Sequence, residues 1–152
     1  MEQEKFLILG IGNKYRCDDG AGIETAEAIR EFNIDKFTVK TLDGEGTGIL
    51  KELEENENVI IIDAVRYNGK AGNIYELNAN DVTIKSDFFN YSSHAFGLAE
   101  AINVAKVMNK LPKFLIVYGI EGGKFNFDTR LTKKVKQAVK TTAETIRQRY
   151  GN

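Results

Sequence analysis

The sequence predicts an α/β fold: one three-layer domain over residues 1–152, with a mostly parallel twisted sheet of about five strands covered by helices on both faces. Three observations carry this. Short runs of β-branched, aliphatic and aromatic residues are apolar almost without interruption, as strands buried on both faces must be. Amphipathic stretches of helical period separate them. The 152 residues suit one full core, and a single proline, Pro112, leaves the pattern unbroken by linkers or repeats.

In chain order, "FLILGI" (Phe6–Ile11), "FTVKTL" (Phe37–Leu42), "NVIIIDAV" (Asn58–Val65) and "KFLIVYGI" (Lys113–Ile120) are the strand candidates. Ala21–Phe32, Gly48–Asn56, His94–Asn109 and Arg130–Tyr150 are the helices between and after them. In the last, Leu131, Val135, Ala138, Val139, Thr142 and Ile146 recur at helical spacing, with lysines and arginines opposite. Asn68-Gly69 in "RYNGKAGNIYEL" is a tight-turn signal, so Asp63–Arg66 and Asn73–Leu77 are expected to form an antiparallel extension.

The formal charge of -1 gives no electrostatic footprint for nucleic acid or a membrane surface. One cysteine, Cys17, cannot form an internal disulfide, which suits a reducing compartment. "MEQEKFLILG" has the wrong polarity and length for a signal peptide, and no apolar stretch reaches the roughly 20 residues of a spanning helix. The expectation is a soluble cytoplasmic domain.

In a parallel sheet, sites form where strand carboxyl ends meet the amino ends of helices. That rule brings Asp18 and Asp19, Asp43, Asp63, Glu121 and the only histidine, His94, to one edge. Carboxylates with one imidazole suit zinc, nickel, manganese or iron, and a cation would hold together acids that otherwise repel. Blander readings stand beside this one. Asp18 also reads as a helix N-cap, and His94 as a first-turn residue facing solvent. Asp63 follows "VIII" and precedes more apolar residues, where an unpaired charge is expensive. Cys17 reads as a small loop residue, and Asp128 in "FDTRL" as the N-cap of the last helix.

Two rival readings fit poorly. "GIGNKY" has Tyr15 where the dinucleotide fingerprint needs its third glycine, and Asp18 and Asp19 occupy the place of a pyrophosphate. Peptidyl-tRNA hydrolases begin similarly, but the proline after the asparagine and the Arg-His-Asn run are missing here, as is a basic excess for tRNA.

Four blocks, in order and at about the right spacing, resemble the hydrogenase maturation protease family: "LGIGNKYRCDDGAG" (Leu9–Gly22), "IIDAV" (Ile61–Val65), "SSHAFGLAEAI" (Ser92–Ile102) and "VYGIEGG" (Val117–Gly123). The resemblance implies that Asp19, Asp63 and His94 are the metal-contacting residues; beside them, Asp18 or another edge carboxylate is a candidate accessory base. Departures fall in the loops: "DGEGTG" from Asp43, Ala71-Gly72 where Pro-Gly is common, and Gly122 after Glu121.

The family resemblance further implies an endopeptidase that removes the C-terminal extension of a nickel–iron hydrogenase large-subunit precursor after nickel insertion. The nickel is expected to arrive within the substrate, a permanently bound zinc being the alternative, and no nucleotide is expected. Lys14, Tyr15, Arg16, Arg66 and Tyr67 are expected at the cleft rim. A non-cleaving, nickel-sensing assembly factor is the alternative. No "HExxH" helix is present, and His94 has no serine or cysteine dyad with an orienting partner.

Overall fold

The computed structural model describes residues 4–89 and 95–152. The elements in order are β1 (Phe6–Ile11), α1 (Ala21–Glu31), β2 (Phe37–Leu42), α2 (Gly46–Glu55), β3 (Asn58–Val65), β4 (Ile74–Asn78), α3 (Leu98–Val107), β5 (Phe114–Glu121) and α4 (Lys133–Tyr150). A 3₁₀ turn, Cys17–Gly20, leads into α1. The sheet runs β2-β1-β3-β5-β4. Its first four strands are parallel, and β4 is antiparallel to β5 at the edge. The α/β architecture expected from the apolar runs is present, with α1, α2, α3 and α4 each beginning or ending a few residues at most from their expected limits.

Alternation along the strands divides the core in two. Leu7, Leu9, Val59, Ile61, Leu115 and Val117 point to one face and pack with Ile49 and Leu53 of α2 and Ile102 of α3. Ile8, Ile60, Ile62, Ile116 and Tyr118 point to the other, against Ile29 of α1 and Val135, Val139 and Ile146 of α4. β1, β3 and β5 are buried on both faces, which is why they read as unbroken apolar runs. At edge strand β2, only alternate residues are shielded. The helix α1 lies hard against the sheet at Gly22, where a Cβ would come within 2.3 Å of the Ile62 carbonyl oxygen and 2.4 Å of that of Ile11.

The expected pairing of β3 with the following strand is corrected. β5 occupies that edge of β3 over the whole register from Asn58↔Phe114 to Val65↔Glu121, so β4 pairs with β5 instead. The Asn68-Gly69 turn does form, with Gly69 at φ +79° and the Lys70 amide donating to Asn68 Oδ1. It lies within a longer connection rather than a two-residue hairpin. Among the described residues, no helix is long and apolar enough to cross a membrane.

Candidate active site

Strand order fixes where the site lies. β1 feeds α1 and then β2 on one side, while β3 lies on β1's other side, so the connections diverge between β1 and β3. The β1–β3 ladder ends at Gly10↔Ile62, one residue before Asp63, whereas β3 continues along β5 to Val65. Asp63 therefore stands where β1 peels away. A cleft of about 650 Å³ opens there, lined by Asp19 and Asp63 at its base, by Asn13 and Lys14 after β1, and by Asp43 and Leu98.

Asp63 is only 9% exposed. Burial pushes its carboxyl well above the usual carboxylate range, and the charge of Asp19 pushes it further, against a smaller opposing pull from the Ala64 amide. Asp19 is raised as well, by burial, with the Asn13 amide and Arg16 acting in the opposite direction. Its Oδ2 accepts from that amide at 3.1 Å. Two acids thus share one cleft, each made harder to ionise, and a cation between them would remove the penalty for both. Two carboxylates provide hard oxygen donors. Among the described residues, no group of three histidines, cysteines or acids lies close enough to hold an ion. The third expected contact, His94, lies outside the described residues.

The remaining acids separate into different tasks. Asp43 does line the cleft, and its Oδ1 accepts from the Glu45 amide at 3.0 Å. Glu121 does not line it. Fully buried, it accepts from the amides of Tyr67 at 2.7 Å and Asn68 at 3.1 Å and from the Tyr75 hydroxyl at 3.2 Å, tying down the β3–β4 connection.

Asp18 does not cap the following helix. The 3₁₀ turn intervenes, and α1 starts from Gly20 with no side-chain cap. The Asp18 carboxylate, also fully buried, reaches across to the segment after β5. Gly123 N and Lys124 N donate to Oδ2 at 2.8 and 3.0 Å, Thr132 N donates to Oδ1 at 2.8 Å, and the Thr132 hydroxyl lies 2.9 Å from Oδ2. Asp128 is likewise not the N-cap of α4; that position is Thr132. Asp128 instead accepts from Arg130, while its backbone pairs with the 15–17 segment. Thr132, Gly123 and Lys124 were not legible as site-supporting residues, although a threonine directly before "KKVKQAV" is itself an N-cap signal.

At the rim, Lys14, Tyr15 and Arg16 line the cleft as expected. Arg66 and Tyr67 are not part of its lining: the Arg66 guanidinium sits over the Phe125 ring, and Tyr67 packs edge-on to Tyr75 and Phe88. Cys17 is buried, and burial together with the neighbouring Asp18 charge raises its thiol.

Comparison with known proteins places the chain in a family. Residues 23–149 match the family model described as HycI, hydrogenase maturation protease. The hydrogenase expression/formation protein HupD of Rhodobacter capsulatus is 31% identical over 120 residues, which cover 78% of this chain and 57% of that protein. The hydrogenase 2 maturation protease of Escherichia coli is 26% identical over 145 residues, covering 93% of this chain and 88% of that one. The chain spans 57%, 64% and 65% of the length of three HupD relatives that it matches. Among solved structures, the hydrogenase maturating endopeptidase HybD from E. coli superposes with a TM-score of 0.73 at 23% identity, over 93% of this chain and 89% of that one. The maturation protease HycI from Thermococcus kodakarensis superposes at 0.75 and 18% identity, over 97% and 93%. These two share the fold. The family model covers most of the chain, including β3 with Asp63, and on that match the chain belongs to the hydrogenase maturation protease family.

Proposed function

We propose that this protein is a cytoplasmic endopeptidase that removes the C-terminal extension of a nickel–iron hydrogenase large-subunit precursor once nickel has been inserted. The observation that carries the reading is the Asp19–Asp63 pair: two carboxyls at the β1/β3 divergence, in one cleft, each raised in proton affinity. Such a pair is unfavourable by itself and favourable around a divalent cation. Membership of the family and relatives named as hydrogenase maturation proteases support the activity.

Nickel is substrate cargo in this reading. The precursor's metal centre enters the cleft, Asp19 and Asp63 supply oxygen contacts, and His94 is the proposed third contact. A metal so placed supplies a positive charge that polarises nearby groups. The chain's own part is to orient the acids, narrow the cleft through Leu98 and the β1–α1 loop, and present the peptide beside them.

The test is the intact mass of a nickel-loaded precursor, with and without this protein, beside Asp63→Ala and a nickel-free precursor. The expected result is one C-terminal mass loss that requires both nickel and Asp63. Complex formation with no change in mass would replace the endopeptidase with a non-cleaving assembly factor.

A further inference from the structure

The segment after β5 crosses back over the loop after β1 and is stitched to it along its length. Cys17 N donates to Asp128 O at 2.7 Å, Asp128 N to Tyr15 O at 3.1 Å, and Asp18 N to Lys124 O at 3.0 Å. Arg16 Nε reaches Phe125 O at 3.3 Å. The Asp18 carboxylate closes the seam. Besides the Cys17 thiol at 4.0 Å, three amides and one hydroxyl donate to it, the last amide and the hydroxyl from Thr132, the residue before α4. A buried carboxylate is costly to maintain unless it is hydrogen-bonded in this way, and a short polar turn could have been braced by a neutral side chain.

The neighbour in sequence shows what such anchoring does. Asp18 and Asp19 occupy one 3₁₀ turn. Successive side chains diverge by about 120° in that geometry. Fixing Asp18 inward against the post-β5 segment therefore turns Asp19 toward the cleft. The Asp19 backbone belongs to the same construction: its amide donates to Arg16 O at 3.1 Å, and its carbonyl accepts from Asn13 N at 3.3 Å. Asn13 N also meets Asp19 Oδ2.

We propose that Asp18 is a positioning residue, which together with Thr132 holds the 3₁₀ turn in place so that Asp19, whose Oδ2 meets the Asn13 amide, keeps one rotamer facing the cleft. Asp18 touches no substrate; it acts through its neighbour. Any effect on cleavage rests on the proposed function of the cleft, whereas the locking of Asp19 does not.

The experiment reads Asp19 directly, by three-bond couplings that report its χ1 populations in isotope-labelled protein. The variants are Thr132→Val, which removes the hydroxyl and keeps the amide, Thr132→Ser as the rescue, and Asp18→Asn. Ile146→Val, on the buried face of α4 within the core, controls for loss of stability alone. The expected result is one χ1 rotamer for Asp19 in the wild type, Thr132→Ser and Ile146→Val, and averaging in Thr132→Val and Asp18→Asn. Where the precursor is cleaved, kcat should fall about ten- to a hundredfold in the two averaging variants, with KM unchanged. A single Asp19 rotamer in folded Thr132→Val would overturn the proposal, as would equal averaging in Ile146→Val. Averaging that follows Asp18 and Thr132 while wild-type protein leaves the precursor intact would sustain the positioning role and remove the endopeptidase reading.

Discussion

Asp19 raises the proton affinity of Asp63, adding a second negative charge beside a carboxyl that burial has already made reluctant to ionise. The sheet enforces this proximity. Asp63 is fixed in β3 opposite Gly119, and the loop carrying Asp19 is stitched down at both ends.

That pair makes metal-free stability depend on pH with a definite sign. A carboxyl whose folded-state pKa exceeds its unfolded value supports folding below the unfolded value, and the support is lost as pH rises through the folded one. Urea midpoints of the metal-free protein should therefore fall as pH climbs from about 4 through the raised values of Asp19 and Asp63. In Asp63→Asn the fall should be shallower, because Asp63 no longer titrates and Asp19 has lost its like-charged neighbour. A slope equal to that of the wild type would show that folding does not raise the proton affinity of Asp63.

Glu121→Gln should destabilise the protein by about 2 kcal/mol. Glutamine has one acceptor oxygen and turns an NH₂ toward the amides of Tyr67 or Asn68, where both carboxylate oxygens now accept. Urea denaturation measures this, and unchanged stability would mean that water readily replaces the carboxylate.

Gly46→Ala tests the "GEGTG" loop. A Cβ there would stand 2.1 Å from the Phe96 ring and 2.7 Å from the Phe96 carbonyl oxygen, which accepts from Gly46 N at 2.8 Å. Both ring and backbone would have to move, at a cost of about 1–3 kcal/mol. The same urea measurement checks it, with wild-type stability the contrary outcome.

Cys17 should be slow to react with Ellman's reagent in the native state at neutral pH and fast in denaturant, because burial and Asp18 raise its thiol. Fast native labelling would contradict that burial.

The strands were legible because double burial leaves an unmistakable mark: β3 runs over Asn58–Val65 as its apolar residues indicate, and β5 differs by one residue at each end. The pairing of β4 was not legible, since a turn signal reports the local bend and not which strand already occupies the edge. Within the site, the apolar surroundings of Asp63 pointed correctly to a buried acid. The roles of Asp18 and Glu121 were hidden for another reason. Asp18 meets Thr132 across 114 positions and Glu121 meets Tyr67 across 54, and nothing in either local sequence names the partner. His94, which the strand-end rule and the family resemblance both assign to this edge, lies outside the described residues.

The seam between the 13–19 loop and the segment leading into α4 also has a meaning for biosynthesis. The acids of the cleft are translated within the first 63 residues, but the amides and hydroxyl that brace Asp18 come from residues 123–132. A ribosome delivers them only after β5 has been made, and contacts of such separation form late. A nascent or prematurely terminated chain would thus carry Asp19 and Asp63 without those partners of Asp18, so the proposed positioning of Asp19 becomes available only once the whole fold is complete.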